Sequence, residues 1–244
     1  MITASALRRN CGFPRVLDNL PPRTAKEREN RAKRDAAAVL GTAFHAAVEA
    51  WKLTGELPQP ADDEVRGWLD MLAATGWRPW AFSLLEVAMG LRADGTGVMC
   101  DEPEPHVYVA RDGSEIVTAG RADVVTPEVY SGLVFVIRDW KTGRYHVDPP
   151  ERNLQLASSG LAACSIGRAD GFRREVYYAR EGALYKEEDP IMVGTPAYAR
   201  VLDEVLTAAR LDNEPRPGEH CRDCWDRRMK RCDKAQTTFA SETD

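Results

Sequence analysis

The stretch that decides the fold of this 244-residue chain runs Leu133-Val134-Phe135-Val136-Ile137-Arg138-Asp139-Trp140-Lys141-Thr142-Gly143. Its first five residues are apolar and rich in β-formers, which predicts a strand buried on both faces. Because side chains alternate along a strand, Asp139 and Lys141 are expected on the same face, and Trp140 on the other. Thr142-Gly143 then ends the strand.

Asp139 and Lys141 place a carboxylate beside an ammonium where a buried face meets solvent. Such a pair is either a structural ion pair or part of a metal site. A hard cation such as Mg²⁺ prefers carboxylate oxygens. Phosphodiester hydrolysis uses a metal together with a nearby positive group that steadies the developing charge. The Asp-x-Lys spacing by itself does not choose between these two interpretations.

Composition sets the broad class of the protein. With 43% hydrophobic and 29% charged residues, the chain suits one sizeable globular domain. No apolar stretch is long enough to cross a bilayer, and residues 1–20 lack the apolar centre of a secretory signal. We therefore expect a soluble, cytoplasmic protein with no membrane partner.

The distribution of charge is more informative than the net charge of −5, which argues against attraction of the whole molecule to nucleic acid. Basic residues are concentrated at both ends, at Arg8, Arg9, Arg15, Arg23, Lys26, Arg28, Arg31, Lys33 and Arg34, and at Arg222, Arg227, Arg228, Lys230 and Arg231. A basic rim beside an acidic centre would suit both DNA and cations. Solvated helix faces would explain the same charges equally well.

Residues 36–53 form the clearest predicted helix. Gly41, His45 and Glu49 are spaced i, i+4 and i+8, and so lie along one face. A glycine inside a helix costs about 1 kcal/mol against alanine, which is acceptable where a ligand or another segment must come close. His45 is therefore either a structural side chain or part of a site.

The strand of Asp139 has an expected partner. Asp123 and Asp139 are placed symmetrically about Ser131, so an antiparallel pairing centred there would bring the two carboxylates close enough to share a cation. Pro127 is expected to interrupt that ladder. The other predicted elements are a helix over 63–74, a strand or short helix over 83–91, a hairpin of 106–110 with 115–120, a helix over 151–164 carrying Gln155, a strand pair of 174–178 with 183–186, and a helix over 195–211.

The cysteines indicate a second metal centre. Cys221 and Cys224 form a Cys-x-x-Cys clip, Cys232 follows shortly after, and Cys11 could supply a fourth thiolate from the other end of the chain. Four thiolates suit either Zn²⁺ or an iron–sulfur cluster, and His220 could replace one of them in a zinc site. A redox pair or unbound thiols is the remaining alternative. Cys100 and Cys164 are isolated, as buried thiols or surface bystanders would be.

Together these features resemble a known family. The motifs are Gly41-x-x-x-His45, Gly120-x-x-Asp123, Asp139-x-Lys141 and Gln155 on the following helix. In this order they resemble the PD-(D/E)XK nuclease superfamily, in particular its RecB-like branch. With the four terminal cysteines added, the chain resembles the iron–sulfur exonucleases related to AddB and to the CRISPR-associated Cas-four family.

The resemblance implies an α/β fold with a restriction-endonuclease-like αβββαβ core and a [4Fe–4S] cluster that joins the N- and C-terminal segments. It implies that Cys11, Cys221, Cys224 and Cys232 hold this cluster. It divides the chain into one nuclease domain over 1–244, a catalytic core over 36–212, cluster-binding segments over 1–20 and 214–234, and a disordered tail over 235–244.

The resemblance also implies roles at the active site. His45, Asp123 and Asp139 would bind Mn²⁺ or Mg²⁺, helped by the backbone carbonyl of Trp140. Lys141 would position the attacking water and stabilise the pentacovalent phosphate. Gln155 would orient the site or the strand. Ser159 departs from the family, which often has Tyr at this position, so the stacking or hydrogen bonding of that Tyr is not expected here.

The function expected from these motifs is metal-dependent exonuclease cleavage of DNA, at single-stranded or free ends. Two alternatives belong to other classes. A non-catalytic DNA-binding adaptor would have no need of the complete set of His45, Asp123, Asp139 and Lys141. A zinc-stabilised structural protein would explain the cysteines but not the carboxylates.

Overall fold

A computed structural model describes residues 2–3, 25–104, 106–143 and 148–210 of the chain. Within these residues a nine-stranded sheet is combined with four α-helices. The strands are β1 (Ile2–Thr3), β2 (Leu84–Leu91), β3 (Gly97–Glu104), β4 (Val107–Ala110), β5 (Thr118–Val129), β6 (Leu133–Lys141), β7 (Gly171–Tyr178), β8 (Ala183–Lys186) and β9 (Ile191–Met192). The helices are α1 (Ala25–Thr54), α2 (Asp63–Ala74), α3 (Leu154–Gly167) and α4 (Pro196–Arg210).

The sheet follows the order β4-β3-β2-β5-β6-β7-β8, with β1 beside β5 and β9 beside β7. Its neighbours are antiparallel except for β6 with β7 and β1 with β5. Parallel neighbours need a crossover connection, and α3 provides the one between β6 and β7. The mixed α/β architecture agrees with the predicted restriction-endonuclease-like class, and β5 and β6 lie at its centre.

The predicted hairpin between β5 and β6 is confirmed. The register runs from Val129 opposite Leu133 to Val124 opposite Arg138, so the pairing is centred on Ser131. Pro127 pairs with Phe135 inside this ladder, so the expected interruption does not occur. The hairpin therefore brings Asp123 and Asp139 to the same end of the two strands.

The predicted hairpin of 106–110 with 115–120 is wrong. β4 pairs instead with β3, a strand that was not predicted, and Cys100 lies opposite Ala110. The reason is burial, because alternate residues of β3 and β4 bury their side chains in one cluster, which comprises Val98, Cys100, Tyr108, Ala110, Ile116 and Ala119. Residues 118–129 then form a single strand between β2 and β6.

Each of the four α-helices of the described residues was predicted, and α2 has the predicted bounds of 63–74, whereas the other three differ at their ends. α1 begins eleven residues earlier than expected, and residues 28–35 of this added part are exposed and mostly charged. α2 begins after Asp62, whose side chain accepts hydrogen bonds from two backbone N–H groups of the first turn. α3 begins three residues later than expected, after the Asn153 cap, because a short 3₁₀ turn occupies Pro150–Arg152.

Two apolar clusters cover the sheet. One lies under α3 and α4 and includes Ile137, Leu161 and Phe172. The other lies under α1 and α2 and includes Phe44 and Trp140. β6 is buried by both clusters, as its sequence predicts.

No helix among the described residues has both the length and the apolarity that crossing a membrane requires.

Candidate active site

His45 reaches the sheet because α1 packs closely against the end of β6. Phe44, its neighbour, makes edge-on contacts with Trp68 and Trp140 at ring-centroid distances of 6.1 and 6.0 Å. A Cβ atom on Gly41 would lie only 2.8 Å from Thr142 Oγ1. Glycine at this position therefore permits the close approach that brings His45 over the central strands.

The first partner of His45 is Glu86 on β2, a residue to which the sequence motifs assigned no role. His45 Nδ1 lies 2.7 Å from Glu86 Oε1 and 3.8 Å from Asp123 Oδ1. The three side chains offer ligand atoms within 4.8 Å of one another. One imidazole nitrogen and two carboxylates form a donor set that suits Mn²⁺ or Mg²⁺. His45, Glu86 and Asp123 are therefore the candidate metal site.

The backbone of β2 changes course at Glu86, which has a positive φ of 52°. Leu85 packs in the cluster under α1, whereas Val87 packs in the cluster under α3, so the alternation of side chains is reset between them. The same reset occurs across Asp123 on β5, between Ala122 and Val124. A positive φ strains the backbone of a residue other than glycine, as it does here at Glu86. Such strain is concentrated at functional sites.

Burial and crowding change the proton affinities of these groups. Burial and the neighbouring Asp139 carboxylate raise the pKa of Asp123 to about 7. Burial lowers the pKa of His45, but its hydrogen bond to Glu86 and the charge of Asp123 outweigh that effect, so the pKa of His45 lies above 6.5. The site thus holds protons more firmly than isolated side chains would, because carboxylates crowd it. A bound cation would relieve the same crowding.

Asp139 and Lys141 lie next to this cluster. Asp139 Oδ2 is 2.6 Å from Lys141 Nζ, and Asp139 Oδ1 accepts a hydrogen bond from Gln155 Nε2 at 3.2 Å. Burial lowers the pKa of Lys141, but the charge of Asp139 and its hydrogen bond to Lys141 outweigh burial, so the pKa is raised overall. Lys141 therefore remains an ammonium. Asp139 is thus held on both sides, by the Lys141 ammonium at Oδ2 and by the Gln155 amide at Oδ1.

Of the active-site residues predicted from sequence, His45 and Asp123 lie in the candidate metal group, Glu86 joins them there, and Asp139, Lys141 and Gln155 lie beside that group. Asp123 Oδ2 accepts a hydrogen bond from the Trp140 N–H at 2.6 Å, which ties the two central strands together at the site. The carbonyl of Trp140 and the individual catalytic roles stay predictions. Ser159 is buried within α3, so this position supplies no aromatic ring to the site.

Glu86 could have been found from one sequence signal. It is the only charged residue in the β2 sequence Leu-Leu-Glu-Val-Ala-Met-Gly-Leu. A single acid in an apolar strand is more often a residue at the solvent edge, so this signal does not identify a metal ligand without the fold.

The proposed cluster ligands Cys11, Cys221, Cys224 and Cys232 lie outside the described residues, as do residues 1, 4–24 and 211–244 generally. Cys100 and Cys164 are free and buried. Burial raises the pKa of these two thiols to about 11 and about 12. They are therefore unreactive core residues, which is one of the two alternatives expected for them.

A mixed α/β sheet with a histidine, clustered carboxylates and a lysine at the ends of its central strands defines a class of metal-dependent enzymes that cleave phosphodiester bonds. The sequence model of the PD-(D/E)XK nuclease superfamily matches residues 15–229. The chain belongs to this superfamily and is therefore a metal-dependent nuclease whose substrate is nucleic acid.

Other comparisons add little. No curated protein matches the chain. Five chains of solved structures match it. One of these, from the structure titled "Crystal structure of SSO0001", is 15% identical in sequence, with 72% of each chain covered and a TM-score of 0.33. A similarity this distant carries no argument about fold or function.

Proposed function

We propose that this protein is a DNA exonuclease that acts on single-stranded ends and uses Mn²⁺ or Mg²⁺. The observation that carries the proposal is the placement of the Asp139–Lys141 pair directly beside the His45–Glu86–Asp123 cluster. The cluster supplies ligands for a cation, and Lys141 supplies a second positive charge that does not depend on that cation. Superfamily membership supports cleavage of nucleic acid, whereas the choice of single-stranded DNA ends rests on the RecB-like motifs.

The ligands of the cation are His45, Glu86 and Asp123, whose ligand atoms lie within 4.8 Å of one another. Asp139, which the resemblance adds as a further ligand, lies beside this group and is paired with Lys141. A bound Mg²⁺ or Mn²⁺ supplies positive charge for the scissile phosphate and the attacking water. The hydrogen bond from Trp140 N–H leaves Asp123 Oδ1 as the oxygen that faces His45. The chain thus orients each donor before any cation binds.

Lys141 and Gln155 position the reacting groups. The ammonium of Lys141 remains charged beside Asp139, so it can stabilise negative charge that develops on the phosphate. Gln155 Nε2 holds Asp139 Oδ1 and so fixes the direction of the second oxygen. Removal of the Lys141 or the Gln155 side chain would leave the Asp139 carboxylate less well oriented.

The exposed N-terminal part of α1 carries basic residues, which is consistent with a polyanionic substrate. Arg28, Arg31 and Arg34 are exposed there, ahead of His45 on the same helix. Arg34 precedes His45 by eleven residues, which places it on the same helical face about 16 Å away. Basic side chains along that face would contact the phosphates of a strand whose end lies at the metal site.

The [4Fe–4S] cluster remains part of the proposal on sequence grounds alone. Cys11 lies before the core, and Cys221, Cys224 and Cys232 lie after it. One cluster would therefore close a loop that spans nearly the whole chain. A zinc site with the same cysteines is the alternative, and the two are distinguished by colour, because an iron–sulfur protein is brown and a zinc protein is colourless.

The test is cleavage of 5′- and 3′-labelled single- and double-stranded DNA in Mn²⁺, Mg²⁺ or EDTA, with circular single-stranded DNA as a substrate without ends. We expect stepwise shortening of linear single strands with either metal and intact circles. Loss of this activity in Asp123→Asn, with unchanged activity in Glu128→Gln at the far end of β5, would assign it to the site. Absence of cleavage on every DNA substrate, with all cofactors present, would overturn the proposal and favour a binding adaptor.

A further inference from the structure

Two aromatic side chains stand exposed just before β2. Trp80 is 65% exposed and Phe82 is 77% exposed, and Leu84, the first residue of β2, is also exposed. Aromatic rings of this size are ordinarily covered in a folded domain. Two exposed rings and an exposed leucine within five residues form an apolar surface of the kind that marks a binding site.

The segment that carries these rings is held at both of its ends. Trp77 packs edge-on against Trp51 and Trp140, at centroid distances of 5.9 and 5.2 Å. At the other end, Ser83 is fully buried, and its Oγ lies 2.9 Å from Thr126 Oγ1. The rings between these ends are thus presented by a fixed turn, which lowers the entropy lost when they bind a partner.

The same segment runs beside the candidate metal site. α1 contacts the start of β2 twice, through His45 to Glu86 and through Lys52 Nζ to the carbonyl of Ser83. His45 and Lys52 are seven residues apart on one helical face, which corresponds to about 10 Å. The exposed rings therefore lie within a few nucleotides of the metal ligands.

The charge of the segment favours nucleic acid over a basic protein as its partner. Residues 77–83 read Trp-Arg-Pro-Trp-Ala-Phe-Ser and include a cation but no acid. Arg78 is exposed, and its guanidinium stacks over the Trp51 ring at 5.2 Å. Exposed rings beside a positive charge form the combination with which proteins bind single strands, since the bases stack on the rings and the cations contact the phosphates.

We propose that Trp80 and Phe82 form a stacking platform for unpaired nucleobases next to the scissile phosphate. This inference rests on the proposed function, because it names how the same site selects a single strand. Bases in a duplex are stacked on one another and cannot lie flat on these rings, whereas bases of a single strand can. The platform thus gives the enzyme a preference for unpaired ends without reading sequence.

The test measures binding of a fluorescently labelled oligothymidylate and of a labelled duplex to the intact protein, in EDTA so that no cleavage occurs. We expect Trp80→Ala and Phe82→Ala each to weaken binding of the single strand by roughly 5- to 100-fold, as loss of one stacking contact does. Phe82→Trp, which keeps an aromatic ring at this position, should bind the single strand as tightly as wild type. Duplex binding should change less than twofold in all variants.

Tyr130→Ala is the matched control. Tyr130 is 60% exposed, and it lies in the turn at the far end of the β5–β6 hairpin from Asp123. Its removal should leave binding of both probes unchanged. Thermal melting and Mn²⁺ titration of each variant show whether the fold and the metal site are intact.

Three results would contradict the inference. If wild-type protein cleaves single strands while Trp80→Ala and Phe82→Ala bind oligothymidylate as tightly as wild type, the platform is wrong and the proposed function stands. If the two variants instead change the oligomeric mass in solution without affecting DNA binding, the rings serve contacts between copies. If wild-type protein neither binds nor cleaves DNA, the proposed function fails together with the platform.

Discussion

Glu86 Oε1 lies 2.7 Å from His45 Nδ1, although the two residues are 41 positions apart in the chain. The other carboxylate oxygen of Glu86 is held by Arg121 Nε at 2.9 Å. Glu86 is therefore fixed between a basic side chain and the imidazole, with one oxygen directed at the candidate metal site. A cation that binds there would take the place of the proton shared by His45 and Glu86.

Glu86→Gln should weaken Mn²⁺ binding by at least roughly 10- to 100-fold, because Glu86 is itself a ligand and even a change in a group that only supports a ligand costs that much. The amide keeps the size of the side chain but removes its charge, and it also loosens the hold on His45. Calorimetric titration of Mn²⁺ is the measurement. Glu128→Gln removes a charge at the other end of β5 and should bind Mn²⁺ as wild type does. Equal affinity in both variants would remove Glu86 from the site.

Lys141→Ala should reduce the cleavage rate by roughly 10²- to 10³-fold, as loss of one electrostatic contact to a transition state commonly does. Metal affinity should be kept, because Lys141 contributes no ligand. Asp139→Ala should lose activity for a different reason, with weakened metal binding as well. Lys186→Ala on the exposed strand β8 serves as the control for loss of a lysine. Cleavage by Lys141→Ala at the wild-type rate would show that its assigned role is wrong.

The contribution of Asp123 and His45 to the stability of the metal-free protein should fall as pH rises from about 4 to above 7. The pKa of Asp123 in the folded protein, about 7, lies above its ordinary value of 3.8, and the pKa of His45 is also raised. Groups with raised pKa values bind protons more tightly in the folded state, so their stabilising contribution is present at low pH and is lost as pH rises through those values. Saturating Mn²⁺ should oppose this loss at neutral pH, because the metal binds the deprotonated ligands.

The pH dependence is measured by thermal melting in EDTA and in Mn²⁺ across this range. Asp123→Asn should flatten the decline seen in EDTA, since the amide does not titrate. Loss of the Asp123 carboxylate charge also lowers the pKa of His45. A decline of the same size in Asp123→Asn and wild type would assign the effect to other groups.

Cys11→Ala should remove the brown colour, lower the yield of soluble protein and weaken DNA binding, if Cys11 is a ligand of the proposed [4Fe–4S] cluster. Closure of so long a loop restricts the unfolded chain by several kcal/mol in the chain-entropy treatment of cross-links, about 4–5 kcal/mol for a loop of 100 residues. Anaerobic purification with iron and sulfide analysis is the measurement. Cys100→Ala, at a buried site, should keep full iron content even if packing loss lowers its melting temperature. Full iron content in Cys11→Ala would make His220 the next candidate ligand.

Local pattern was sufficient for several parts of this fold. The apolar run of β6 determines a buried strand, and strict alternation places Asp139 and Lys141 together on it. The register of the β5–β6 hairpin follows from the symmetric placement of Asp123 and Asp139 about Ser131, because a tight turn leaves few alternative pairings. The face of α1 that carries Gly41 and His45 follows from helical periodicity alone.

Only the tertiary structure placed Glu86 in the candidate metal site. Its approach to His45 requires β2 to pair with β5 and α1 to pack across both strands, and neither contact is encoded near Glu86 in the sequence. The strained backbone at Glu86 resets the side-chain alternation of β2, which a strand pattern cannot anticipate. The β3–β4 pairing is itself local, because β3 ends at Glu104 and β4 begins at Val107. The sequence pattern missed it because β3 was not recognised as a strand, and the burial that β3 and β4 share became visible only in the fold.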